Sequence, residues 1–162
     1  MPVNTSIFKA YDVRGTYPTE IDEAVARDIG RAFVAYLGAR RIAVSRDMRV
    51  SSPTLAAAFI DGATAQGADV TDYGLAGTDM LYYAVAAGSF DGGAQITASH
   101  NPKQYNGMKL VRQSALPLSG DAGISDIREM LVDHTIPPPA GRQGAITRAD
   151  MLAPYVDCVM GF

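Results

Sequence analysis

One cysteine, Cys158, stands among the 162 residues, which excludes an internal disulfide and a cysteine-based zinc site and fits a reducing compartment. A lone thiol of this kind reads as a small, buried, inert hydrophobe. No apolar run approaches the roughly 20 residues that span a bilayer. The opening MPVNTSIFK has neither the basic stretch nor the apolar core of a signal peptide, so a cytoplasmic location with no membrane partner is expected. Basic residues are not in excess: 14 Lys plus Arg against 17 Asp plus Glu leave a net charge of −3, the wrong sign for a nucleic-acid partner. Walker A, G-x-G-x-x-G and G-x-S-x-G patterns are all missing, which removes the usual signs of nucleotide binding and of a serine hydrolase.

What remains is the composition of an ordinary globular domain, with 48% apolar and 19% charged residues. Ile21, Val25, Ile29, Phe33 and Leu37 recur every four residues and predict a helix over 20–37, with Thr19 as N-cap and Gly38 as the stop. A strand over 42–45 follows. Ser52 and Pro53 then open a second helix as N-cap and first residue, ending at Gly67. Strands over 70–73, 94–97 and 108–111 alternate with helices over 79–87 and 125–131. Asn106-Gly107 reads as a tight turn with positive φ. Strands separated by helices imply crossover connections, hence an α/β fold with a mixed, mainly parallel sheet and ligands at the carboxyl ends of its strands. From Pro137-Pro138-Pro139 to Gly144 the chain reads as a linker, and Met151, Leu152, Tyr155, Val156 and Val159 space a final short helix.

The most informative stretch is Ile96-Thr97-Ala98-Ser99-His100-Asn101-Pro102. Asn101 as N-cap and Pro102 as first helical residue would set free backbone N–H groups beside the Ser99 hydroxyl, a site suited to phosphate. A phosphoryl group on Ser99 would bring a charge of about −1.5 to −2 that such donors and nearby cations stabilise. His100 and Lys109 can supply protons and positive charge. The same residues also read as a plain helix cap with a surface histidine.

TASHNP, followed by Tyr105-Asn106-Gly107-Met108-Lys109, together with Phe8-Lys9-Ala10-Tyr11-Asp12-Val13-Arg14-Gly15 and the Arg46-Asp47-Met48-Arg49 turn, closely resembles the first domain of the α-D-phosphohexomutases. The resemblance covers residues 7 to 135, and its Tyr-Asp-Val-Arg-Gly form points to the phosphomannomutase/phosphoglucomutase type. It implies a three-layer domain with helices on both faces of the sheet, and a reaction interconverting hexose 6-phosphate and hexose 1-phosphate through a bisphosphorylated hexose. By that resemblance Ser99 is the phosphoryl carrier, and His100, Lys109 and Arg14 act beside it. Tyr11, Arg14, Asn101 and Lys109 would face the phosphosugar, and one phosphoserine oxygen of Ser99 would bind Mg2+. Arg46 and Arg49 are expected to hold their loop through Asp47.

The family's metal, sugar-reading and phosphate-clamping loops lie in later domains, and no Asp-Gly-Asp-type loop occurs here. The expectation is therefore a domain over 1–135 and, over 136–162, a linker and the start of a next domain. The remaining domains of the enzyme would be its partners, and the chain alone would be inactive. The alternative is a stand-alone α/β module that binds phosphate or a partner without turnover.

Overall fold

The computed structural model describes residues 3 to 162. After a 3-10 turn at Thr5–Ile7 the elements run β1 (Val13–Thr16), α1 (Glu23–Leu37), β2 (Arg41–Arg46), α2 (Ser52–Ala65), β3 (Asp69–Leu75), α3 (Thr78–Ala87), β4 (Gly92–Ile96) and β5 (Tyr105–Arg112). The short β6 (Leu116–Pro117), α4 (Ile124–Val132), β7 (Ile146–Arg148) and α5 (Leu152–Met160) complete the chain. The sheet order is β1-β5-β4-β2-β3-β7, with β6 on β5. β4, β2, β3 and β7 are mutually parallel, whereas β5 runs antiparallel to β4, β1 and β6. This is the expected α/β architecture with a mixed sheet.

Alternation along the strands assigns the two faces. Ile42, Val44, Val70, Ala94, Ile96, Met108 and Leu110 pack in the main core with Phe33, Phe59 and Ile127 from α1, α2 and α4. Ala43 and Val111 point the other way, onto Leu81 and Val85 of α3. Every residue of β4 is buried, as a central strand covered on both faces requires. α1 and α2 cross so closely that a Cβ on Gly30 would lie 2.3 Å from the Phe59 carbonyl oxygen.

Several local expectations are corrected. The N-cap of α1 is Asp22, whose Oδ1 accepts from the Val25 N–H at 2.9 Å, and Thr19 sits in the preceding turn. A carboxylate outcompetes a hydroxyl for this place because it also favours the positive helix end. α2 begins one residue earlier than expected, at Ser52 with Ser51 in the N-cap position, and the Ser52 hydroxyl is taken by Asp47. Asn106-Gly107 is no turn: both residues lie inside β5, and Asn106 Nδ2 donates to the Ser51 and Ser52 hydroxyls at 2.8 and 3.0 Å. No helical turn follows Ser99. Residues 97–104 form an irregular loop leading directly into β5, so the expected helix-start phosphate site at Asn101-Pro102 does not exist. Cys158 is exposed on α5 rather than buried.

The Pro-rich stretch is not slack. Arg31 Nη2 donates to the Pro137 carbonyl at 2.8 Å, and the Ala140 and Gly144 N–H groups donate to Ala65 and Thr64. β7 then joins β3 in parallel. Met151 is buried and the Tyr155 hydroxyl donates to Asp79, while Leu152, Val156 and Val159 stay exposed.

Candidate active site

Ser99 lies in the loop after the carboxyl end of β4, and β5 and β1 bring two cations to that end of the sheet. Lys109 pairs with Gln95 across β4–β5, and Arg14 pairs with Gly107 across β1–β5. Directly paired residues share a face, and so do residues two apart, so Arg14 and Lys109 project from the same side as α3. Asp12, just before β1 and nearly buried, holds both: its Oδ2 is ion-paired with Arg14 Nη2 and lies 3.9 Å from Lys109 Nζ. Arg14 Nε is buried without a hydrogen-bond partner among the described residues, the kind of orphaned donor that functional sites retain.

Ser99 and His100 are exposed, and Ser99 Oγ lies 3.3 Å from His100 Nδ1. Ser99 has φ 55, a left-handed backbone that costs a non-glycine residue about 1–2 kcal/mol and persists only where the surroundings impose it. Its N–H donates to Thr97 Oγ1 at 2.9 Å, and Thr97 Oγ1 donates in turn to Asp47 Oδ2 at 2.8 Å. The Arg49 guanidinium reaches from the β2–α2 loop and donates to the carbonyls of Ser99, Asn101, Pro102 and Tyr105. Arg49 thus holds the Ser99 loop itself, beyond its expected pairing with Asp47 at 3.1 Å. Arg46 forms no ion pair with Asp47 among the described residues; its side chain lines a separate cleft with Asp72, Tyr73 and Arg148.

A cleft of about 540 Å³ runs beside this loop, lined by Lys9, Asp12, Arg14, Glu20, Asn101, Pro102 and Tyr105. Its charges alternate in sign, with Lys9 and Arg14 against Asp12 and Glu20. The Glu20 carboxyl is held below its ordinary range by hydrogen bonds from the Thr16 N–H and hydroxyl, so it is anionic at neutral pH. Burial pushes the Tyr82 phenol on α3 upward, and the Asp12 charge adds to this. Of the residues expected to face a sugar, Arg14 and Asn101 line the cleft, whereas Tyr11 projects into solvent at 72% exposure.

The carboxylates near Ser99 do not compose a metal site. Among the described residues no three His, Cys, Asp or Glu side chains are grouped for one. Asp47 is saturated by Thr97, Ser52 and two donors of Arg49, and Asp12 is paired with Arg14 and Lys109. A single phosphoserine oxygen on Ser99 would fall far short of the oxygen ligands that Mg2+ requires.

Sequence reasoning missed Asp12 as the anchor of both cations, Thr97 as the link to Asp47, and Lys9 and Glu20 as cleft residues. The signal for Asp12 was its place two residues before Arg14, at the start of an edge strand. Lys9 and Glu20 carried no comparable signal, since only the fold brings them to Asn101.

Comparison with known proteins adds a family. Residues 5–133 match the model described as phosphoglucomutase/phosphomannomutase, alpha/beta/alpha domain I. The chain is 45% identical over 157 residues to a phosphomannomutase of Escherichia coli, covering 96% of this chain and 34% of that protein. A phosphomannomutase of Klebsiella pneumoniae is 45% identical over 152 residues, covering 93% of this chain and 96% of that sequence. Among solved structures, a phosphoglucomutase/phosphomannomutase family protein from Burkholderia thailandensis superposes with a TM-score of 0.88 at 36% identity, covering 98% of this chain and 36% of that one. The chain therefore spans about a third of the length of the E. coli and Burkholderia relatives.

Proposed function

Because the chain belongs to the phosphoglucomutase/phosphomannomutase family as its α/β/α domain I, we propose that it is the phosphoryl-carrying domain of a phosphohexomutase, with Ser99 as the carrier. The observation that supports this best is the pinned, exposed Ser99. Its backbone is locked by Thr97 and Arg49, and its hydroxyl is left with His100 Nδ1 at 3.3 Å.

In the proposed reaction the free hydroxyl of a hexose monophosphate attacks the phosphorus carried on Ser99. The new sugar O–P bond forms as the Ser99 Oγ–P bond breaks. The sugar's proton is taken by a general base and a proton is returned to Ser99 Oγ, a role that His100 is placed to serve. The bisphosphorylated hexose then returns its other phosphoryl group to Ser99, which interconverts the 6- and 1-phosphates of mannose or glucose. Arg14 and Lys109, anchored by Asp12, lend positive charge where negative charge accumulates on the transferring group. Asn101 borders the sugar's approach, whereas the exposed Tyr11 stands outside the cleft. The Mg2+ implied by the family needs ligands beyond those described here, and residues 136–162 lead toward the remaining domains that would supply them.

The 162-residue chain alone is then expected to show no mutase turnover. In the longer enzyme, Ser99→Ala is expected to lower turnover by more than about 10³-fold. Intact mass after exposure to a hexose bisphosphate is expected to show one phosphoryl group on the enzyme and none on Ser99→Ala. Turnover retained by Ser99→Ala removes Ser99 from the carrier role.

A further inference from the structure

All five N–H donors of the Arg49 guanidinium are used, and four of them go to the loop after β4 and the first residue of β5. Nη2 donates to the Ser99 and Asn101 carbonyls at 2.9 and 2.8 Å, Nη1 to those of Pro102 and Tyr105 at 2.9 Å, and Nε to Asp47 at 3.1 Å. We propose that Arg49, braced by Asp47 and tied through Thr97 to the Ser99 amide, is the positioning residue that fixes the orientation of the Ser99 hydroxyl for phosphoryl exchange. This proposal rests on the reading of Ser99 as the carrier.

The direction of each hydrogen bond follows from its neighbours. The Ser99 N–H can only donate, so Thr97 Oγ1 accepts it and must send its own proton to Asp47 Oδ2. Asp47 Oδ2 accepts this hydrogen bond and one from Arg49 Nε, while its Oδ1 accepts from the Arg49 N–H and the Ser52 hydroxyl. With those bonds made Asp47 has no lone pair to spare for substrate, so it acts through Arg49 and Thr97. The arrangement ties the β4–β5 loop, through its carbonyls, to the β2–α2 loop, through one side chain. No helix follows Ser99, so its carbonyls and its left-handed backbone have no regular element to hold them. A lysine cannot replace this grip: an ammonium has three donors on a flexible stem and no planar fork to span four carbonyls.

The test uses Arg49→Ala, Arg49→Lys and Thr97→Val, with two readouts. Amide hydrogen exchange on the 162-residue chain is expected to show the Asn101 and Tyr105 amides losing protection at least about tenfold in both Arg49 variants, with β4 and the rest of β5 unchanged. In the longer enzyme kcat is expected to fall about 100-fold in Arg49→Ala, with KM within about twofold, because a displaced nucleophile loses rate rather than affinity. Thr97→Val keeps its volume and is expected to lower kcat by about tenfold, since it cuts only the link between Asp47 and Ser99. Unchanged loop protection in the Arg49 variants, or a rise in KM with kcat intact, overturns the proposal. Should Arg49→Ala not fold, Arg49→Lys and Thr97→Val decide it by the same readouts. Turnover retained by Ser99→Ala would instead remove the carrier reading, and the exchange measurement would still decide whether Arg49 orders the loop.

Discussion

A methyl group on Gly107 would sit 1.9 Å from the Val13 carbonyl oxygen, whereas one on Gly38 would touch nothing within 4 Å. The two glycines are alike in sequence and differ in what they permit. Gly38 takes a φ of 60 at the end of α1, and Gly38→Ala is expected to cost about 1 kcal/mol through that backbone alone. Gly107 lets β1 approach β5 beside Arg14, so Gly107→Ala must push the strands apart and is expected to cost about 1–3 kcal/mol. Urea midpoints of the two variants check the order, and a Gly107 effect no larger than that of Gly38 would remove the close approach as the reason for the glycine. At this scale Ser99, His100, Arg14 and Lys109 were legible because their motifs are contiguous. The four carbonyl partners of Arg49 were not, because they lie some 50 residues away along the chain.

The elements were legible wherever apolar periodicity ran for three turns or a full strand, as in α1 and β2, and their ends were not. Caps at Asp22 and Ser51 depended on which competing hydroxyl or carboxylate was already engaged. β7 is the clearest omission. Three residues with no apolar alternation carry no strand signal, and they pair with β3 because Asp69 fixes the chain just before them. The Asp69 carboxyl accepts from the Ala145 N–H at 2.8 Å and from Arg142 at 2.7 Å, and these two bonds hold it below its ordinary range. A carboxyl with a lowered folded value contributes stability above about pH 4 and loses it as the pH falls through that value. The Val70 and Ala149 amides, which donate to Ala145 and Asp72, are therefore expected to lose exchange protection below about pH 4, after correction for intrinsic rates, while β4 amides keep theirs. Asp69→Asn is expected to reproduce the loss at neutral pH. Equal loss in β4 would mean that β7 is not separately held by Asp69.

For the whole molecule, the main core closes without the last fifth or so of the chain. Its buried members end at Leu131, with Ile136 packed against it, and Met151 belongs to a small separate cluster with Ala76 and Ala84. A piece ending at residue 135 is accordingly expected to fold cooperatively, with a Tm lower by roughly 5–10 °C for the loss of β7 and the hydrogen bonds of 137–145. Calorimetry checks this, and a piece that does not fold would make β7 part of the domain. The sequence by itself determined the α/β class, the alternation of helices and strands from α1 to α4 without β6, and Ser99 in a loop at a strand's carboxyl end, because hydrophobic periodicity and contiguous motifs are local properties of the chain. Only the tertiary structure decided that no helix follows Ser99, that Asn106-Gly107 lies within a strand, that Asp12 anchors Arg14 and Lys109, and that Arg49 grips the serine loop. Each of these depends on which buried donor meets which acceptor, and that pairing is settled by the packing of segments far apart in sequence.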